Sequence, residues 1–154
     1  MEESRMGSLI GIIGSGADKF TPETIIQAFS LIQTILTSQK NVTLVSGHSP
    51  VGGIDIWSEH IAVSLGLKTR IFAPRTFAWD PPSGYGFKAR NLDIARWSDI
   101  VHVIIPKDYP ISYTSTRFKR CYHCDSTSHI KSGACWTAHR AIEFGNKAVW
   151  HVIT

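Results

Sequence analysis

The feature that most constrains the fold is the regular alternation of short apolar runs with longer amphipathic segments. Four segments whose apolar residues recur at helical spacing separate five runs rich in β-branched residues. The five runs lie at 8–13, 41–45, 69–73, 99–105 and 148–153. Continuous apolar runs are typical of parallel strands that are buried on both faces. The pattern therefore predicts a parallel sheet whose strands are joined by helices.

Right-handed, unknotted connections make the fold class more specific. They leave an α/β fold of the Rossmann-like type, a three-layer sandwich with a mainly parallel five-stranded sheet. The chain of 154 residues is 43% hydrophobic and 18% charged, which excludes intrinsic disorder. We expect one domain over residues 1–154, with a polar segment inserted at about 107–131 before the last helix.

The sequence also indicates a compartment. No apolar run is long enough to cross a membrane. The first residues are acidic and lack the basic and apolar regions of a secretory signal. We therefore expect a cytoplasmic protein that has no membrane partner.

In such a sheet, ligands bind beyond the carboxyl ends of the strands, so the loops that follow the strands are candidate sites. Gly14, Ser15 and Gly16 follow the first strand, where glycines allow an anion to approach backbone amides closely. A dinucleotide fingerprint is excluded because it needs a third glycine where this chain has Lys19. The alternative interpretation is a strand-to-helix turn that requires small residues.

The loop after the second strand carries a stronger pattern. Ser46-Gly47 ends the strand, and Gly52-Gly53 precedes a helix whose first turn contains Asp55. Paired glycines weaken a helix start, so their presence favours a cradle for a phosphate. Asp55 would then bind a hydroxyl or a base edge, although a first-turn acid also complements the helix dipole without any ligand. Glu59 lies one turn further along the same helical face.

Two later helix starts carry anion-binding patterns. Arg90 and Asn91 open the third helix, where a cation is unfavourable without an anion, and a guanidinium can fork onto phosphate. A solvated basic helix start is the alternative. Ser132-Gly133 precedes the last helix, where a serine cap and a glycine leave amides for an anion. Trp136 would stack on a base or fill the core, and Thr137 would add a hydroxyl.

Three cysteines and a histidine have the spacing of a metal site. The pattern is Cys121-x2-Cys124-x4-His129-x5-Cys135. Three thiolates and one imidazole suit the tetrahedral preference of zinc. Such an ion would be structural, because four protein ligands close its coordination shell, and it would hold the polar segment in place. His123 is a substitute for the fourth ligand, and three unrelated thiols are the alternative.

The polar segment also mixes basic and aromatic side chains. They are Arg117, Phe118, Lys119 and Arg120, with Tyr109, Tyr113 and Tyr122 nearby. Such interleaving is typical of surfaces that bind single-stranded nucleic acid through phosphates and stacked bases. A solvated loop with a few anchoring aromatic residues is the other interpretation. The net charge of +4 is compatible with any anionic partner.

In combination, these motifs resemble those of the SLOG superfamily of Rossmann-like proteins. The nearest branch looks like the YspA-type group, with relatives in the DNA-processing protein A core and the lonely-guy phosphoribohydrolases. The resemblance spans about residues 9–152 apart from 107–131. It implies a nucleotide or nucleotide-derived ligand and a homodimer. The motifs that carry it are Ser46-Gly47 to Gly52-Gly53-Ile54-Asp55, Lys88-Ala89-Arg90-Asn91, and Ser132-Gly133 with Trp136-Thr137.

The resemblance and the residues together predict a function. Backbone amides and Arg90 would bind phosphate, while Asp55 and Asn91 would bind ribose or base. By similarity, Arg90 falls at the catalytic arginine of the lonely-guy enzymes, and Asp55 or Glu59 would supply the carboxylate for N-glycosidic cleavage. Arg140 stands where those enzymes carry a glutamate, which argues against hydrolysis more than against binding.

We therefore predict a nucleotide-binding protein that acts as a sensor or as an N-glycosidase-like enzyme. A nucleic-acid-binding module that resembles the DNA-processing protein A core, and uses residues 107–131, is the alternative. A structural protein with a vestigial pocket is a third interpretation.

Overall fold

The computed structural model describes residues 7–154, and five of their segments form β-strands. They are β1 (Ser8–Gly14), β2 (Val42–Ser46), β3 (Lys68–Ile71), β4 (Ile100–Pro106) and β5 (Lys147–Ile153). Every pairing between them is parallel, and their spatial order is β3-β2-β1-β4-β5. The predicted fold class, an α/β Rossmann-like sandwich with a five-stranded sheet, is confirmed.

Helices cover both faces of this sheet. Within residues 7–154 they are α1 (Pro22–Thr37), α2 (Ile54–Ser64), α3 (Phe87–Trp97) and α4 (Gly133–Glu143). Ile10 and Ile12 of β1 lie in the core beneath α1 and α2, whereas Val101 and Val103 of β4 lie in the core beneath α3 and α4. Successive strand residues point to opposite faces, so the continuous apolar runs supply both cores.

Two local predictions differ from the structure. The third strand is predicted at 69–73, whereas β3 ends at Ile71. It forms an edge of the sheet, all four of its side chains are exposed, and Phe72 packs on the second core instead of continuing the strand. In addition, the glycine loop after β1 continues into a short 3₁₀ turn at Ala17–Lys19, which hydrophobic periodicity cannot reveal because none of its residues is buried.

The strand order reverses direction between β1 and β4, and this point lies at the carboxyl edge of the sheet. Gly14 ends β1 there, opposite Ile104 of β4. A Cβ atom on Gly14 would lie 2.1 Å from the carbonyl oxygen of Ile104. The two backbones therefore approach each other so closely that this position requires glycine. The fold thus brings the loops after β1 and β2 and the starts of α3 and α4 to one edge.

No helix within residues 7–154 combines the length and the apolar character that crossing a bilayer requires. The acidic first residues, on which the cytoplasmic prediction partly depends, lie outside the described residues.

Gly53 allows a direct test of how the loop after β2 is packed. Its φ is +77°, and a Cβ atom there would lie 2.3 Å from the carbonyl oxygen of Ser15. Gly66 is a matched control, because its φ is +72° but nothing lies within 4 Å of its Cβ position. Gly53 also has a ψ of −143°, which together with its positive φ is a conformation that essentially only glycine adopts. We expect Gly53→Ala to cost about 2 kcal/mol or more beyond Gly66→Ala in urea unfolding, because Gly53→Ala adds a clash to this backbone strain. Equal losses would contradict this packing.

Candidate functional site

A cleft of about 580 Å³ opens at the carboxyl edge of the sheet, between the end of β1 and the starts of α2, α3 and α4. Eight of the predicted ligand-binding residues line it, namely Gly14, Asp55, Arg90, Asn91, Ser132, Gly133, Trp136 and Thr137. Sequence reasoning gave no site role to Trp79, Phe87 and Lys131, which also line it. Trp79 and Lys131 come from irregular loops, and Phe87 is an apolar residue just before the Arg90-Asn91 pattern, so no spacing rule could identify them.

A second, smaller cleft of about 220 Å³ adjoins the first. The two clefts share four lining residues, Gly14, Lys131, Ser132 and Gly133. Ser15 and Gly16 line only the smaller cleft, together with Lys19. The Ser15 side chain is 5% exposed, and its hydroxyl oxygen has no hydrogen-bond partner. This hydroxyl is therefore an unpaired polar group in the floor beneath the glycine loop, of a kind that is uncommon among the described residues.

The remaining predicted site residues line neither cleft. They are Ser46, Gly47, Gly52, Gly53 and Glu59. Glu59 accepts hydrogen bonds from the Ser46 hydroxyl at 2.7 Å and from Nδ1 of His48 at 2.7 Å. Gly53 packs against the Ser15 backbone, as its close approach to that carbonyl shows. These residues shape the loops that carry the lining residues, and their contact with a ligand stays a prediction.

The guanidinium group of Arg90 and the carboxyl group of Asp55 are both buried and both line the larger cleft. A Cβ atom on Gly47 would lie 2.5 Å from Nη1 of Arg90 and 3.0 Å from Oδ2 of Asp55, so both groups pack against this glycine. Arg90 also donates to the Gly47 carbonyl oxygen and, through Nε, to Oδ1 of Asn91 at 2.6 Å. The Ser49 amide donates to Asp55 Oδ2 at 3.2 Å. The protein itself therefore holds part of the Arg90 guanidinium.

Burial dominates the protonation behaviour of this pair. It raises the pKa of Asp55 from 3.8 to about 6, against the opposing effect of the Arg90 charge. Burial also lowers the pKa of Arg90. Asp55 is 5% exposed and lines the cleft, so a carboxyl group with a raised pKa faces the cavity.

Aromatic side chains surround the mouth of the larger cleft. The rings of Trp79 and Trp136 meet edge to face with centroids 4.9 Å apart, and Phe87 and Tyr122 also line the cavity. Trp79 belongs to the loop between β3 and α3, where its carbonyl oxygen accepts a hydrogen bond from the Lys88 amide at 2.8 Å. Such an arrangement offers faces and edges on which a planar ring stacks.

The four predicted metal ligands come together. One ligand atom from each of Cys121, Cys124, His129 and Cys135 lies within 4.8 Å of all the others. Nδ1 of His129 lies 2.7 Å from the Ile130 carbonyl oxygen, which leaves Nε2 facing the sulfurs, 3.3 Å from Cys124 Sγ. This group, the Cys3His cluster, is a potential metal site of the composition that the sequence predicts. His123, the predicted substitute, lines the larger cleft instead.

The Cys3His cluster also has the outer contacts of a metal site. Trp150 Nε1 donates to the Cys135 sulfur at 3.3 Å, and the hydrogen bond to the Ile130 carbonyl fixes the ring orientation of His129. Contacts of this kind orient metal ligands and stabilise thiolate charge. Cys121 and Ser126 form an antiparallel bridge, so the first two cysteines lie on a tight knuckle.

The basic residues of the polar segment are used largely by the segment itself. Arg117 donates to the carbonyl oxygens of Pro110 at 2.7 Å and of Tyr113 at 3.0 Å. Arg120 forms an ion pair with Asp125 at 2.6 Å. Arg117 and Arg120, two of the cations that would bind nucleic acid, therefore already have partners within the protein. The nucleic-acid alternative stays a prediction, and no contact in this segment favours it.

Comparison with known proteins supports the fold class. The sequence matches no protein family profile and no curated protein. Among solved structures, the fold is similar to that of the molybdenum cofactor carrier protein of Chlamydomonas reinhardtii. The two are 15% identical, the TM-score is 0.58, and the match covers 93% of this chain and 75% of that one. At this identity, the similarity shows a shared Rossmann-like architecture.

Proposed function

We propose that this protein binds a phosphorylated small molecule with a planar ring, of the nucleotide type, across the two adjoining clefts. The observation that carries this proposal is the smaller cleft, which the glycine loop and two lysines line and which no acidic side chain among the described residues lines. The architecture shared with a cofactor carrier protein supports small-molecule binding in general. The motifs that resemble the SLOG superfamily, YspA-type branch, support a nucleotide in particular.

The smaller cleft has the chemistry of an anion subsite. Lys19 and Lys131 line it, and no acidic side chain among the described residues does. Ser132 caps α4, and nothing lies within 4 Å of the Cβ position of Gly133, so the positive end of the helix dipole faces open space. A phosphate there would be attracted by the Lys131 ammonium group and by that of Lys19, whose Nζ also lies 3.0 Å from Asp18 Oδ1.

The larger cleft would then hold the ring of the same ligand. Trp79 and Trp136 offer stacking surfaces, while Asp55 and Asn91 provide polar groups for a ribose or base edge. This arrangement changes the sequence-based assignment of Arg90, whose guanidinium is turned towards the Gly47 carbonyl. We therefore assign the phosphate to the smaller cleft. We assign Arg90 the role of positioning Asp55 and Asn91.

We propose binding as the activity and assign no reaction to the site. A sensor needs only the two clefts. An N-glycosidase-like enzyme would need a carboxyl group at the glycosidic bond, for which Asp55 lines the cavity whereas Glu59 does not. We further propose a single domain over residues 1–154 in a cytoplasmic protein, as the sequence predicts, and a homodimer, as the resemblance implies.

We propose zinc as the occupant of the Cys3His cluster. Three sulfurs and one imidazole nitrogen form a soft donor set that suits tetrahedral Zn²⁺ and disfavours the oxygen-seeking Mg²⁺ and Ca²⁺. Four protein ligands leave no open position, so the ion would be structural rather than catalytic.

Calorimetry with nucleotides and their nucleosides tests the ligand proposal. We expect AMP or GMP to bind at least about tenfold more tightly than adenosine or guanosine, since a charge-assisted hydrogen bond contributes roughly 1.5 to 3 kcal/mol. Lys131→Gln should weaken nucleotide binding about tenfold, and weaken it more than nucleoside binding, because only the nucleotide carries the charge that this ammonium attracts. Lys107→Gln is the control, because Lys107 lines neither cleft.

Two results would contradict the proposal. One is equal binding of nucleotide and nucleoside, or no binding of any nucleoside monophosphate. The other is tight binding of a single-stranded oligonucleotide that weakens steeply with salt and that AMP does not displace, which would favour the nucleic-acid alternative.

A further inference from the structure

The residues of the Cys3His cluster alternate along the chain with residues that form the wall of the ligand clefts. Tyr122 and His123 lie between the ligands Cys121 and Cys124, and both line the larger cleft. The three residues 131–133 lie between His129 and Cys135, and all of them line both clefts. Each of these five lining residues is thus within three positions of a metal ligand.

Direct contacts join the cluster to the start of α4. The Cys121 sulfur lies 3.9 Å from the Ser132 carbonyl oxygen, and the Cys135 amide donates to that same oxygen at 3.2 Å. The Ser132 hydroxyl in turn accepts a hydrogen bond from the Ala134 amide at 3.2 Å. The residue that caps α4 is therefore fixed between two ligands of the cluster.

Regular secondary structure and apolar burial contribute little to holding this wall in place. Apart from the isolated bridge between Cys121 and Ser126, residues 107–131 form no regular secondary structure. Within that range only four residues are buried: Pro110, Cys121, His129 and Ile130. Two of them, Cys121 and His129, are ligands of the cluster. Lys131 crosses the rings of Phe118 and Tyr122 at 5.3 and 5.4 Å, but these contacts are themselves within the wall. A segment with so few buried apolar residues needs another source of order.

We propose that Zn²⁺ in the Cys3His cluster builds the wall shared by the two clefts, so that the ligand site is assembled only in the metal-bound protein. The inference rests on zinc being the occupant of the cluster. Its statement about ligand binding also rests on the proposed function. Metal binding orders residues 121–135 and presents Lys131, Ser132 and Gly133 to the anion. Linkage then requires that a bound nucleotide tighten zinc binding by the same factor by which zinc tightens nucleotide binding.

Hydrogen exchange of the full-length protein tests this inference without any ligand. The protein is compared as purified with added Zn²⁺, after treatment with a strong chelator, and after Zn²⁺ is restored. We expect amides in residues 131–137 to exchange at least about tenfold faster after chelation and to recover with zinc. Amides of α2 should keep their rates, because α2 packs on the opposite face of the sheet.

A pair of histidine variants provides the matched control. His129→Gln removes a ligand and should reproduce the fast exchange even with zinc present. His123→Gln changes a neighbouring histidine outside the cluster and should retain one zinc ion and slow exchange. Calorimetry with AMP on the same samples should show binding that weakens at least about tenfold when zinc is removed.

Each outcome decides a separate claim. Unchanged exchange at residues 131–137 after metal loss, or failure of the protein to bind Zn²⁺, would overturn the inference. Faster exchange throughout α2 would overturn it as well, because the metal would then support the whole fold rather than this wall. If zinc controls exchange at 131–137 but no nucleotide binds the zinc-loaded protein, the proposed ligand fails and the role of zinc in ordering the wall stands.

Discussion

Replacing Arg90 by leucine is expected to lower the free energy of unfolding by about 3 to 5 kcal/mol at pH 7.5. The side chain is 7% exposed and packs with Asp55 against Gly47. Its removal leaves a buried carboxylate without the positive charge that opposes the cost of burial, and leaves the Gly47 carbonyl without its donor. Urea unfolding at equilibrium measures the loss.

Two further variants make this first prediction specific. Arg96→Leu, on the same helix, is the control, because Arg96 is half-exposed and its ion pair with Asp93 spans 3.7 Å; it should cost no more than about 1 kcal/mol. Adding Asp55→Asn to Arg90→Leu should restore part of the lost stability, because the double variant buries no unpaired charge. A loss for Arg90→Leu no larger than that for Arg96→Leu would refute the buried pair.

The second large effect is the dependence of stability on pH through Asp55. Burial raises the pKa of Asp55 from 3.8 to about 6, so between these values the folded protein binds more protons than the unfolded chain. Stability from this group is therefore greatest below pH 4 and falls as pH rises towards 6 and above. A shift of this size corresponds to about 3 kcal/mol.

The measurement is the difference in unfolding free energy between the wild type and Asp55→Asn from pH 4 to pH 7. We expect this difference to fall by about 3 kcal/mol with rising pH. The wild type alone is a poor readout, because burial lowers the pKa of His102 to about 4, and that group makes stability rise over the same range. A difference that stays constant with pH would contradict the burial of the Asp55 carboxyl group.

The sequence predicts the architecture well because the constraints on it are local. Ile10, Ile12, Val101 and Val103 belong to runs whose burial on two faces is visible in the composition of each run. The end of β3 is predicted wrongly for the complementary reason: whether Phe72 continues a strand depends on its contact with the second core, which is not a local property.

The candidate site is predictable only in part. Glycines and helix caps mark loops, and parallel topology brings those loops to one edge, where Gly14 and Gly133 both line the two clefts. Trp79 and Lys131 reach the same clefts from irregular segments, which carry no periodic signal. The direction of the Arg90 guanidinium also cannot be predicted from the sequence, because it depends on the Gly47 carbonyl oxygen, 43 positions away in the chain.

The metal ligands show how far spacing alone can go. The intervals between Cys121, Cys124, His129 and Cys135 predict the cluster that the fold forms. Spacing alone left His123 as a substitute for His129, because His123 lies between the first two cysteines and His129 follows them closely. The orientation of the His129 ring by the Ile130 carbonyl makes that distinction in the folded protein.

The most direct test of a ligand held at the carboxyl edge is a residue-resolved NMR titration of the zinc-loaded protein with AMP, CMP, GMP and UMP in turn. With at least one of them, the amide signals of Gly14, Ser15 and Gly133 should shift together and saturate at one common concentration. Gly66 and Gly145, whose Cβ positions meet no neighbour, should stay fixed. Saturation with all four nucleotides that leaves the amides of Gly14, Ser15 and Gly133 unmoved would contradict the account.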